Sequence, residues 1–211
     1  MRQLAKILEI LRKRYPRGER PWAARSDPYR TLIGTIMSAQ TTDAQVDRVT
    51  PALFRLYPRP AALAKARRSD VERIIKPVGL HKAKAKNIIA AARAVASDFG
   101  GRVPRTLEDL VHLPGVGRKT ASVVLIKAFG VPAMPVDTHV FRVSNRIGIA
   151  EGKTPERVER GLIEAIPRRQ LGAAHFWLIH HGRTVCHARN PRCDECPVSR
   201  YCKYFKRSTK S

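Results

Sequence analysis

Apolar residues recur along this chain at intervals of three and four. Leu4, Ile7, Leu8 and Leu11 set the pattern, and similar stripes run through Leu32 to Met37, Val46 to Leu56 and Ile88 to Val95, the spacing that lines one face of an α-helix. No alternating run of strand type competes. Start signals precede several stripes: Asp27-Pro28, Thr42-Asp43-Ala44-Gln45, Ser69-Asp70-Val71-Glu72 and Thr154-Pro155 each place a capping side chain or a first-turn proline ahead of an apolar pattern. Roughly ten helices are expected, and the fold class is all-α. No internal repeat, low-complexity tract or long linker interrupts them, so any division into domains comes from lobes that share the chain.

One junction between helices has a distinctive composition. It reads Leu113-Pro114-Gly115-Val116-Gly117-Arg118-Lys119-Thr120-Ala121. Thr106-Leu107-Glu108-Asp109 resembles a capping box ahead of it, and the apolar run from Thr120 to Phe129 closes at Gly130 behind it. Two glycines around one apolar residue permit a tight turn, and the next helix then opens with its unpaired N–H groups facing outward, a site suited to a phosphate. The plain alternative is a connector between two helices.

Charge bears on that choice. The 41 Lys and Arg against 17 Asp and Glu give a formal net charge of +24, an excess that favours a polyanion over small acidic substrates. Aromatic residues make up only 6% of the chain, a poor stacking platform for single strands or RNA, so duplex DNA is the expected partner. Arginine supplies 28 of the basic residues; bidentate phosphate contact and genome base composition account for that equally well. Basic clusters lie at Arg12 to Arg25, Lys65 to Lys86 and Lys203 to Lys210, most of them expected on solvated faces. A chain of 211 residues, 43% hydrophobic, can build one large domain or two small lobes with a real core. No apolar stretch approaches the length of a bilayer span, and Met1 to Lys6 lacks a signal peptide's apolar segment, so an intracellular soluble protein is expected.

All four cysteines, Cys186, Cys193, Cys196 and Cys202, fall in one span of seventeen residues. Four thiolates this close form a complete ligand set for a tetrahedral zinc or a [4Fe-4S] cluster, whereas disulfides are disfavoured inside the cell. Structural zinc sites commonly use two short cysteine pairs; the spacing here contains one, which leans towards the cluster and leaves zinc open. The intervening loop, His187 to Arg192, is basic, and Arg189 and Arg192 are placed to reach a phosphate backbone.

Together, the hairpin with Lys119, the segment Val136-Asp137-Thr138-His139 and the cysteine spacing resemble the endonuclease III family, helix-hairpin-helix DNA glycosylases with a C-terminal iron-sulfur cluster. Met37-Ser38-Ala39-Gln40-Thr41-Thr42-Asp43, the Gly79-Leu80 turn with Lys82-Ala83-Lys84, Phe141 to Arg146 and Trp177 to Arg183 match as well, so the resemblance covers nearly the whole chain. It implies a [4Fe-4S] cluster on the four cysteines and a two-lobed all-α fold. A helical-barrel domain over 22–133 would contain the hairpin; a second domain would join 1–21 to 134–211 and carry the cluster. The implied partner is damaged double-stranded DNA, bound by a monomer, and the implied lesions are oxidised pyrimidines such as thymine glycol.

The resemblance also implies roles for individual residues. Lys119 is the nucleophile that attacks the sugar C1′ and forms a Schiff base, from which the 3′ phosphate leaves by β-elimination. Asp137, the only carboxylate between Asp109 and Glu151, has a plain role as a helix N-cap; the family adds proton transfer and stabilisation of positive charge on the sugar. Gln40, otherwise a polar cap at the end of an apolar helix, would fill the gap left by an extruded nucleotide. Leu80, otherwise a packing residue, would wedge the other strand. His81 stands where the family often has Tyr, which leaves that DNA contact open. Gly115, Gly117 and Arg118 would hold phosphate, and His139 would line the pocket; His180 and His181 are read as structural. Two rival readings remain. A monofunctional mismatch-specific glycosylase of the same superfamily would, in its adenine-specific form, place a glutamate where Thr35 stands, and would lack the lysine. A noncatalytic duplex-DNA-binding protein would use Lys119 only as a phosphate contact.

Overall fold

The computed structural model describes residues 2–16 and 27–208. Residues 17–25 of the first basic cluster, Lys210 of the last, Met1 and the expected domain boundary at 21/22 lie outside the described residues. Among the described residues twelve α-helices run in the order α1 (Arg2–Arg14), α2 (Pro28–Met37), α3 (Asp43–Leu56), α4 (Pro60–Ala64), α5 (Arg68–Ile74), α6 (His81–Asp98), α7 (Leu107–His112), α8 (Arg118–Phe129), α9 (Thr138–Ile147), α10 (Pro155–Ala165), α11 (Leu171–Thr184) and α12 (Lys203–Ser208), with 3-10 turns at Arg168–Gln170 and Ser199–Tyr201. No strand occurs among the described residues, and no helix among them is long and apolar enough to cross a membrane. The helices exceed the expected ten by two, and α4 and α12, one or two turns long, are too short to show a periodic stripe.

The chain divides into two compact units, Trp22–Val131 and Met1–Pro21 with Pro132–Ser211. In the first, α6 packs on α2, α4 and α5, α2 on α3 and α8, and α7 on α8. The stripes read from the sequence are the buried faces: Leu32, Ile33, Ile36 and Met37 on α2, Val46, Val49 and Leu53 on α3, and Ile88, Ala92 and Val95 on α6. Each fully buried aliphatic side chain contributes about 1.5–3 kcal/mol of transfer free energy. In the second unit α9 packs on α10, α11 and α12, and α1 lies on α11. Their core joins Ile7, Leu8 and Leu11 to Val140, Val143, Leu162, Trp177 and Leu178, with Cys186 and Cys202 at its edge.

Helix starts follow the capping chemistry in most cases. Asp27 accepts from the Arg30 amide, Thr42 from Gln45, Thr106 from Asp109 and Thr154 from Arg157, each cap being worth about 1 kcal/mol. One start differs from the sequence reading. Ser69 does not cap α5, which begins at Arg68 after an uncapped Arg67; this places Asp70 in the first turn, where its charge favours the helix's positive end, and lets Arg68 pair with Glu72 at 2.6 Å. The helix after the hairpin opens at Arg118, two residues before the apolar run starting at Thr120, and closes at Gly130 in the left-handed conformation, φ 63°. At Thr106 the hydroxyl also donates to the Asp109 carboxylate, 2.6 Å, so the Asp side chain is spent on the threonine in place of the reciprocal backbone bond of a capping box.

Candidate functional site

The hairpin seats itself through its apolar residues. Leu113 and Val116 are buried, while Gly115, Gly117, Arg118 and Lys119 are exposed. Two turn bonds, Leu113 N–H to Leu110 O at 3.2 Å and Val116 N–H to Leu113 O at 3.0 Å, close it. Gly115 has φ 78°, and a Cβ there would stand 2.8 Å from Cβ of Asn87 on α6, so both conformation and space demand glycine. Gly117 is different from the sequence expectation: its backbone is extended, φ −86° and ψ 173°, which any residue adopts. Its Cα faces open space, leaving room for a ligand to approach the backbone.

Gly117 is the N-cap of α8, with no side-chain capping bond and no acidic residue in the first turn; Arg118 and Lys119 occupy that turn instead. Cations at the positive end of a helix cost about 0.3–1 kcal/mol each, and the leading amides go without a side-chain acceptor. α8 is thus the reverse of α2, α3, α7, α9 and α10, all of which have oxygen caps. The arrangement is that of an anion site with an exposed amine beside it.

Asp137 caps α9. Its Oδ1 accepts from His139 N–H at 2.9 Å and Val140 N–H at 2.8 Å, and the carboxylate is half-buried. Helix α9 is in turn fastened by two arginines one turn apart. Arg142 donates to the carbonyls of Cys186 at 3.0 Å and Gly182 at 2.9 Å, and lies 3.1 Å from His139 Nδ1. His139 itself rests against α11 where Gly182 leaves no room for a side chain: a Cβ there would be 2.9 Å from His139 Cβ. Arg146 donates to His187 O at 2.6 Å and Ala188 O at 2.9 Å, and its Nη1 approaches Cys186 Sγ at 3.6 Å. The sequence offered no role for either arginine, although their i, i+4 spacing marks one helix face.

The four cysteines border one pocket, with Ile147, Val185, Tyr204 and Phe205 among its other walls. Four thiols around a largely apolar chamber fit an iron-sulfur cluster, which Cys186, Cys193, Cys196 and Cys202 would hold through their sulfurs. Burial pushes the Cys196 thiol up to about 11 and raises Cys193 as well, so ligation must supply the free energy that ionises them. His181 stands against this chamber: it is buried, with Nε2 3.6 Å from Cys196 Sγ and Nδ1 3.1 Å from the Tyr15 hydroxyl. Burial, then the charge of Arg14, brings its pKa down to about 4, so it is neutral. Of the loop's own basic residues, Arg189 and Arg192 are exposed, and Arg192 is 3.4 Å from Glu195.

Gln40 and Leu80 share an unusual backbone. α2 ends at Met37 with Ser38 as its cap, so Gln40 does not cap it; it sits in the following turn at φ 54°, and Leu80 leads into α6 at φ 59°. Left-handed backbone costs a residue with a β-carbon about 1–2 kcal/mol. Both side chains are nevertheless exposed, Leu80 to 64%, so neither position is held by burying its own side chain. His81 follows as the first, half-buried residue of α6, and the Thr35 hydroxyl is turned back to Thr31 O at 2.6 Å.

An exposed amine at an uncapped helix start, the hairpin before it and a four-cysteine chamber define a helix-hairpin-helix protein with a site for a metal cluster. The family profile of HhH-GPD superfamily base excision DNA repair proteins matches residues 33–168, and that of the iron-sulfur binding domain of endonuclease III matches 186–202. Endonuclease III of Rickettsia conorii is 46% identical over 95% of this chain and 95% of its own, and that of Escherichia coli K12 is 43% identical over 95% and 96%. A trapped endonuclease III-DNA covalent intermediate superposes with a TM-score of 0.89 at 37% identity, covering 99% of this chain and 98% of that one. A thermostable thymine-DNA glycosylase gives 0.83 at 29% identity, covering 98% of each chain. The chain belongs to the endonuclease III family: it is a DNA glycosylase with AP lyase activity in base-excision repair, and it holds a [4Fe-4S] cluster.

Proposed function

We propose that Lys119 is the nucleophile and Asp137 the catalytic carboxylate of an enzyme that removes oxidised pyrimidines, thymine glycol among them, from duplex DNA. The observation that carries this reading is the first turn of α8, uncapped, free of acid and bearing an exposed lysine. The Lys119 amine attacks C1′ of the extruded nucleotide as the glycosidic bond breaks and the base departs. The sugar ring opens to an imine on Nζ, C2′ loses a proton, and the electron pair expels the 3′ phosphate. Water then releases the lysine. Asp137 offers negative charge where the sugar becomes positive and assists the proton transfers. The trapped DNA covalent intermediate of a related endonuclease III supports a covalent route.

The remaining assignments belong to the same reading. Gly115, Gly117 and Arg118 hold phosphate at the start of α8; Arg189 and Arg192 add backbone contacts from the cysteine loop. Gln40 fills the place of the extruded nucleotide and Leu80 wedges the opposite strand, with His81 beside it and His139 facing the pocket. The same reading assigns 22–133 to one domain and 1–21 with 134–211 to the other, close to the compact units that divide at Val131, and has the enzyme work as a monomer inside the cell. Borohydride reduction on a thymine glycol duplex tests the chemistry, because it fixes an imine as a stable amine. Wild type should form a covalent adduct that Lys119→Ala does not form and undamaged duplex does not give. Since Lys119 is exposed, the variant should fold within about 0.5 kcal/mol of wild type. An adduct of undiminished yield from Lys119→Ala would remove Lys119 from the mechanism.

A further inference from the structure

Lys84 is buried, 5% exposed, and no other lysine among the described residues is. It lies in the first turn of α6, where its backbone amide makes the helix's regular bond to the cap residue and its ammonium reaches the loop after α2. The backbone N–H donates to Leu80 O at 3.0 Å. The ammonium Nζ donates to Thr41 Oγ1 at 2.5 Å, and the Thr41 hydroxyl lies 3.4 Å from Ala39 O. That loop and the one before α6 are close enough that a Cβ on Gly79 would be 3.7 Å from that same hydroxyl. Gln40 and Leu80, the residues flanked by these contacts, are the left-handed positions at φ 54° and 59°. Burying an ammonium is costly, and a methionine of similar length would fill the space without that cost. Burial lowers the Lys84 pKa, consistent with a charge kept in an unfavourable place.

We propose that Lys84 is a positioning residue that fixes the Gln40 turn and the Leu80 turn in one mutual geometry, so that both side chains enter the duplex as a unit. This rests on the reading of Gln40 and Leu80 as the residues that replace and wedge bases. The Lys84 side chain acts through Thr41, and its backbone sits in the first turn of α6 directly after Leu80. A strained turn that is free to relax would present its side chain only part of the time, and two independent turns would rarely be ready together. One buried cation, carried on the helix that Leu80 leads into and bonded to Thr41 beside Gln40, removes that freedom.

Lys84→Met and Thr41→Val test the proposal, with strand cleavage measured under single turnover on a duplex carrying one abasic site and on the same strand without its complement. A single strand has no stack to enter. Each variant should lower the duplex rate about tenfold or more while changing the single-strand rate little, and the double variant should be no worse than Lys84→Met alone, as expected of one shared contact. Thermal stability of Lys84→Met should be unchanged or raised, and 2-aminopurine opposite the abasic site should lose its fluorescence increase on binding. Thr41 is only half-buried and carries no charge, so its variant keeps the test open if Lys84→Met folds poorly. Gln40→Ala and Leu80→Ala are the reference. If both retain the duplex rate, the wedge reading fails and Lys84 loses its role with it. If both lose it while Lys84→Met and Thr41→Val keep it within about twofold, or lose duplex and single-strand rates equally, Lys84 is an ordinary packing residue.

Discussion

The visible role of Asp137 as a helix cap and its proposed catalytic role fall on one carboxylate, and Asp137→Asn separates them. The capping role is visible: Oδ1 takes the His139 and Val140 amides at 2.9 and 2.8 Å. Asparagine keeps an oxygen at that position and caps as well as aspartate, so the variant loses only the charge against the helix end, about 0.3–1 kcal/mol. Alanine loses both bonds as well and should cost about 1–2 kcal/mol. The catalytic role predicts a different order. A carboxylate that moves protons and faces developing positive charge accounts for a factor of about 10²–10⁴ in rate, or about 3–5 kcal/mol of barrier. Asn and Ala should therefore lose base release alike, although their stabilities differ. Denaturant midpoints give the first quantity, and single-turnover base release at saturating enzyme gives the second. An Asn variant within about threefold of the wild-type rate would leave Asp137 as a cap alone, since that is under 1 kcal/mol of barrier.

The two hairpin glycines should behave differently. Gly115→Ala meets Asn87 at 2.8 Å in a left-handed backbone, costs about 2–4 kcal/mol and should speed hydrogen exchange at the Val116 amide; Gly117→Ala, facing open space, should keep wild-type stability and lose duplex affinity. Equal stability losses in the two would contradict the geometry. Arg146→Met leaves the His187 and Ala188 carbonyls without their guanidinium and should destabilise the cysteine loop by about 2–4 kcal/mol, seen as faster loss of the cluster's visible absorbance under a chelator; loss at the wild-type rate would refute it. Burial, reinforced by the charge of Asp27, raises the Tyr29 pKa, and its hydroxyl donates to Tyr57 O at 3.0 Å. The unfolded chain gives up that proton first, from about pH 10, so above this pH the folded state holds more protons and stability falls as pH rises. Tyr29→Phe should lose this part of the alkaline slope, and an unchanged slope would contradict the assignment.

Much of this architecture was legible because its signals are local. The α1, α2, α3 and α6 stripes became buried faces where periodicity placed them, and a threonine or aspartate marked the starts of α2, α3, α7 and α10. The cysteine span was legible for the same reason, since four ligands within seventeen residues need no tertiary information. The contacts that organise the site are long in sequence and could not be read that way. Lys84 finds Thr41 from 43 positions away, Arg142 finds the Cys186 carbonyl from 44, and His181 bridges Tyr15 to Cys196. The left-handed turns at Gln40 and Leu80 also escaped, because glutamine and leucine give no signal for that backbone. The spacing of the two glycines does not tell them apart: only Gly115 has the left-handed backbone, while Gly117 is extended beside open space.

The central claim is that Lys119 carries the covalent chemistry, and mapping the adduct in the wild-type enzyme tests it without any substitution. After borohydride reduction on a thymine glycol duplex, digestion with nuclease and trypsin should leave the deoxyribose remnant on the peptide Lys119–Lys127, because cleavage follows Arg118 and is blocked at the modified lysine. A remnant on any other lysine, or on the terminal amine, would contradict the account.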